Sequence, residues 1–135
     1  MLRAAIRFLI ASMIVVGLSA DRAAIAQTNV VLGGEETFRL YCAPCHGASA
    51  RGDGPVASSM RQKPADLTLI AKRNGGTFAA DEVARMIDGR NPVKGHGGGD
   101  MPVWGDAFAK AADPTPVDEK IRRVVDYLRT LQVKP

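Results

Sequence analysis

The chain has 135 residues, with 18 Lys plus Arg against 14 Asp plus Glu and a formal net charge of +4, so one domain is the default and two would be cramped. Met1 to Ala26 reads as a secretory signal: Arg3 and Arg7 precede an apolar run, Phe8 to Leu18, well short of the roughly 20 apolar residues that a membrane-spanning helix needs. Without that segment, 15 basic side chains face 13 acidic ones, and no Lys or Arg run is interleaved with aromatics, which argues against nucleic acid as a partner.

Two small-residue cleavage sites are present, Leu18-Ser19-Ala20 and Ala24-Ile25-Ala26. The second is preferred, giving a signal peptide over 1–26 and a mature domain over 27–135 that is exported and not inserted in the membrane. Within that domain Gly and Pro punctuate stretches of helical rather than strand period, so an all-α fold is expected. A first helix is predicted from about Gly34 to Cys42, with Glu35 and Glu36 favouring its positive end and Phe38 and Tyr41 or Cys42 sharing a face. From Gly47 to Pro64 the composition turns to Gly, Ala, Ser, Asp and Pro, a connection long enough to wrap something.

A short helix follows over Thr68 to Arg73, with Thr68 as N-cap and Asn74-Gly75-Gly76 as the stop. Another spans about Asp81 to Asp88, with Val83, Met86 and Ile87 on one face and Gly89 placed for a left-handed C-cap. Gly95 to Asp100 is a Gly-rich loop, and after Met101-Pro102 a brief helix would set Trp104 and Phe108 one turn apart. In the last helix Thr115 is the predicted cap, Pro116 the first helical residue and Asp118 the partner in a capping-box-like pattern. Val117, Ile121, Val124, Val125, Leu128 and Leu131 trace its apolar stripe, and Lys120, Arg122, Arg123 and Arg129 read as its solvated face.

Chemistry concentrates in Cys42-Ala43-Pro44-Cys45-His46. Residues at i, i+3 and i+4 of a helical turn share a side, so both thiols can add to the two vinyl groups of one haem while the imidazole reaches its iron. Rival readings are weaker. A thioredoxin-like pair needs a βαβ context, a structural zinc site needs a fourth ligand as well placed as these, and a plain disulfide closes too short a loop to restrain the unfolded chain much. For a second axial ligand the candidates are Met60, Met86, Met101 and His96, with lysines as outsiders. Helical spacing with Val83 and Ile87 assigns Met86 to packing. Met101 is favoured because Gly97, Gly98 and Gly99 allow close approach to a ring and Pro102 stiffens the chain just after it.

The motif Cys42-Ala43-Pro44-Cys45-His46-Gly47, then Gly52-Asp53-Gly54-Pro55, Pro64-Ala65-Asp66-Leu67 and Met101-Pro102-Val103-Trp104-Gly105, resembles a class I monohaem cytochrome c of bacteria over nearly the whole mature chain. The resemblance implies an all-α class I cytochrome c fold whose N- and C-terminal helices cross, with Gly34 and Phe38 packed near Tyr127 and Leu128. It implies one covalent haem c held by Cys42 and Cys45, with His46 and Met101 as axial ligands. It also implies a carbonyl at Pro55 accepting a hydrogen bond from His46 Nδ1, and Trp104 packed against the ring or in the core. The activity implied is one-electron transfer in the periplasm, by a carrier rather than an enzyme. Its partners would be redox proteins, met as a monomer or as a subunit of a larger oxidoreductase; a five-coordinate peroxidase or gas-binding protein is the alternative if Met101 does not ligate. Lys63, Lys72, Arg73, Arg90 and Lys94 are candidates to rim the haem edge, each read most simply as solvated.

Overall fold

A computed structural model describes residues 30–90 and 101–134, and among them every regular element is helical. The signal segment, His96 and the Gly97 to Gly99 run lie outside the described residues. Helix α1 is one continuous run made of an α segment Gly34–Thr37, a π segment Phe38–Cys42 and a final α turn Ala43–His46. It therefore extends a turn beyond the predicted end at Cys42. Pro44 explains the change of gauge: it has no N–H for the Leu40 carbonyl and its ring crowds that oxygen, so the helix widens just upstream. The Ala43 N–H bonds back to the Phe38 carbonyl, closing the π turn.

After a single 3₁₀ turn at Ala57–Ser59, a second 3₁₀ turn, Leu67–Leu69, leads into α2, Ile70–Arg73. The N-cap here is Asp66 and not the predicted Thr68. Asp66 Oδ1 accepts from the Thr68 N–H at 2.9 Å and from its hydroxyl at 2.6 Å, because the shorter carboxylate two residues upstream is the better placed acceptor. Helix α3, Ala80–Asp88, ends as expected on Gly89 in the left-handed conformation, φ +68°, and α4 spans Trp104–Lys110.

Helix α5, Val117–Thr130, buries Ile121, Val124, Val125 and Leu128 along the predicted stripe. Its start differs from expectation. Pro116 is the N-cap, in extended conformation, and no side chain caps it; Asp113 Oδ1 instead accepts from the Thr115 N–H at 2.9 Å, which closes the turn one step earlier. The basic face is also not uniformly solvated. Lys120 is only 4% exposed, and its ammonium donates to the Phe108 carbonyl at 3.0 Å and the Asp113 carbonyl at 2.7 Å. The Phe108 carbonyl, at the end of α4, thus accepts from Lys120 in addition to the Ala111 N–H at 3.4 Å. Arg123 is half-buried as well, donating to the Leu32 carbonyl at 3.0 Å and pairing with Glu119 at 2.9 Å.

The core forms where α1, α3, α4 and α5 meet, with Phe38, Phe108 and Val124 its largest fully enclosed side chains. Phe38 meets Tyr127 at a ring separation of 5.4 Å. Gly34 lets α1 touch the α5 backbone: a Cβ there would lie 2.7 Å from the Arg123 carbonyl carbon and 3.2 Å from Tyr127 Cβ. Alanine favours a helix interior by up to about 1 kcal/mol over glycine, but overpacking against backbone costs about 1–3 kcal/mol. Gly34→Ala is therefore expected to lose about 1–2 kcal/mol net in urea unfolding, and a gain would show that α1 and α5 are not in this contact.

Candidate functional site

The last turn of α1 carries the residues singled out for chemistry. Cys42 is 8% exposed, Cys45 and His46 are half-buried, and both thiols are free. Burial, with Cys45 beside it, pushes the Cys42 thiol up to about 12, so it stays protonated at neutral pH. Burial also holds the His46 pKa below its ordinary value, and the hydrogen bond to Ala65 only partly offsets that.

His46 Nδ1 lies 3.0 Å from the Ala65 carbonyl oxygen. The acceptor is thus Ala65 rather than Pro55. The chain after Gly47 folds back along the end of α1, with the Gly54 N–H donating to the Cys45 carbonyl and the Val56 N–H to the Pro44 carbonyl, both at 3.1 Å. That pairing keeps Pro55 exposed beside the backbone of the motif, and the loop returns to face the ring only at Ala65. With its proton on Nδ1 for the carbonyl, neutral His46 presents the lone pair of Nε2. The donor set is therefore two thiols and one oriented imidazole nitrogen on a single turn, which fits attachment of haem through two thioethers and one axial bond.

The acceptor segment is itself held. The Gly52 N–H donates to the His46 carbonyl at 2.8 Å, and the Leu67 N–H to the Ala50 carbonyl at 2.7 Å. Arg73 donates to the Asp66 carbonyl at 2.7 Å. Gly54 must be small, since a Cβ would sit 2.6 Å from the Ala43 oxygen and from the Cys45 carbonyl carbon. Two exposed charged residues read as rim candidates also have local partners: Arg73 in this bond and Arg90 in a pair with Asp88 at 2.5 Å.

Met101 is 42% exposed in the bend that leads into α4, and Trp104 begins that helix. Trp104 packs on Tyr41 of α1 at 5.6 Å and on Phe108 at 5.7 Å, while Tyr41 meets Phe108 edge-on at 5.3 Å. The aromatic cluster couples the Met101 segment to the helix that carries the cysteines. Met86 packs half-buried against the core, as its spacing predicted, and Met60 is half-buried in the loop. No group of three or more His, Cys, Asp or Glu poised for a metal ion occurs among the described residues. A groove of about 480 Å³ between α3 and α5 is lined by Ala84, Ile121 and Val125 with a rim of Asp and Arg, and none of the motif residues lines it.

Sequence reasoning missed the Ala65 carbonyl, Lys120 and the role of Gln132 described below. A backbone acceptor leaves no side-chain signal, although Ala65 sits inside the Pro64-Ala65-Asp66-Leu67 landmark. Comparison of the chain with protein-family models, curated proteins and solved structures gives no match.

The lowered His46 pKa sets a pH dependence. The unfolded chain, with its ordinary value near 6.5, binds the proton more readily than the folded one. The contribution to stability is full above that value and is lost as pH falls from it toward the folded-state pKa. In the haem-free chain, His46→Gln is expected to flatten the fall of urea midpoints just below pH 6.5, leaving the more acidic losses from Asp66, Asp113 and Glu119, whose carboxyls hydrogen bonds hold below their ordinary range. An unchanged slope would show that the ring is not held neutral by its surroundings.

Proposed function

We propose that this chain is a c-type cytochrome of the periplasm, an electron carrier with one covalently attached haem. The observation that carries the reading is the oriented imidazole: His46 shares one helical turn with two free thiols, and its Nδ1 is already committed to the Ala65 carbonyl. Bound there, haem supplies an iron couple that takes up and releases one electron.

The rest is the work of the chain. Cys42 and Cys45 hold the group by thioether bonds, which prevents its loss during repeated encounters with partners. His46 would hold the iron through Nε2, and the carbonyl on Nδ1 fixes the tautomer and makes the ring a stronger donor. Met101 Sδ would hold the iron as well, from the segment next to Trp104, which packs on Tyr41 and Phe108. A haem held by both His46 and Met101 would leave no place on the metal for a substrate and would supply electron transfer to redox proteins met in small transient contacts. No described helix is long and apolar enough to cross a membrane.

The test is the intact mass of the protein produced in a bacterium with haem-attachment machinery and recovered from the periplasm. The expected mass is that of residues 27–135 plus one haem, with the group mapping to the peptide that contains Cys42 and Cys45. The double variant Cys42→Ser/Cys45→Ser is expected to carry none. A mass equal to the bare polypeptide, with thiols free or joined as a disulfide, would overturn the reading.

A further inference from the structure

Gln132 lies just past the end of α5, and its side chain makes three hydrogen bonds that spacing in the sequence does not announce. Its Nε2 donates to the Leu128 carbonyl at 2.8 Å and to the Leu67 carbonyl at 2.9 Å, and its Oε1 accepts from the Ala71 N–H at 2.9 Å. One orientation of the amide satisfies all three, because the nitrogen faces two carbonyls and the oxygen faces an N–H. A cap for α5 needs only the bond to Leu128. The other two reach 65 and 61 residues back along the chain. The adjacent Val133 N–H adds a bond to the Thr68 carbonyl at 3.0 Å, so the tail of α5 grips the Leu67 to Ala71 backbone at three points.

That backbone begins two residues after Ala65, whose carbonyl meets His46 Nδ1. Leu67 is the pivot: its N–H is fixed to Ala50 and its carbonyl to Gln132. We propose that Gln132 is a positioning residue for His46: its amide clamps the Leu67 to Ala71 backbone and thereby holds the Ala65 carbonyl against Nδ1, which tunes the imidazole as a donor to iron. This rests on the haem reading above. A firm Nδ1–H···O=C bond makes the ring more basic, and a more basic ligand stabilises the more highly charged ferric ion. Loosening the clamp therefore raises the reduction potential.

The test uses the haem-loaded protein. Gln132→Met keeps the length of the side chain and removes all three bonds, while Gln132→Glu keeps the acceptor for Ala71 and removes both donors. Gly34→Ala, which weakens the α1–α5 contact elsewhere, serves as the control for lost stability. In Gln132→Met the potential is expected to rise, and the His46 Nδ1 proton, followed by NMR in the ferrous protein, to exchange about tenfold faster, in line with the loss of about one net hydrogen bond. Gln132→Glu, whose second carboxylate oxygen would face the Leu67 and Leu128 carbonyls, is also expected to speed the exchange, and its exchange rate carries the test if Gln132→Met does not fold, because the added negative charge itself lowers the potential. Gly34→Ala is expected to move neither. Loaded Gln132 variants with the parent's potential and exchange rate, or a Gly34→Ala that shifts both equally, would overturn the proposal alone. A parent that carries no haem would overturn the underlying reading and this proposal with it.

Discussion

The hydrogen bond from His46 Nδ1 to the Ala65 carbonyl joins two parts of the chain 19 residues apart, and most of the structure around it exists to keep those parts in place. From the His46 side, Pro44 forces α1 to widen into a π turn, and Gly54 lets the returning loop lie against the motif's own backbone. From the Ala65 side, Ala50 and Arg73 each take one backbone group of the short run that follows, and Gln132 takes two. An imidazole held in this way has one nitrogen spent and the other presented, the arrangement that a metal ligand needs.

Helix α5 is the common support. Its buried stripe faces α1, α3 and α4, Gly34 permits backbone contact at one end, and Gln132 and Val133 reach the acceptor segment at the other. Lys120 completes the arrangement by carrying a charge into the interior to satisfy the Phe108 and Asp113 carbonyls. A buried ammonium without a carboxylate in direct contact is costly, so its presence shows how much the junction between α4 and α5 needs a donor there. That junction in turn sets Trp104 and the segment of Met101 against Tyr41.

What could be read from the sequence was what depends on side-chain type at a fixed spacing. The stripe on α5, the Gly89 cap and the Trp104–Phe108 pair are of this kind and are found, while the approach of Gly34 and Phe38 to Tyr127, also found, was implied by the family resemblance and not by spacing. The misses share a different cause. Which carbonyl meets His46 depends on where a loop turns back, and Ala65 and Pro55 are equal as peptide oxygens. Lys120 looked solvated because a helical wheel records charge but not the carbonyls of a neighbouring helix end within its reach. Asp66 displaced Thr68 as cap, and Asp113 closed the turn before α5, because an Asx turn competes with a cap a residue or two away.

The proposed carrier depends on a closed coordination sphere, so the question that decides it is what occupies the second axial position. The most direct measurement is the optical spectrum of the purified protein in ferric and ferrous states, for the parent and for Met101→Ala, with carbon monoxide added to the ferrous form. A six-coordinate His46–Met101 carrier shows the weak red charge-transfer band of iron bound to thioether sulfur, loses it in Met101→Ala, and takes up carbon monoxide readily only in that variant. A parent that lacks the band and binds carbon monoxide at once would contradict the carrier and leave an open haem.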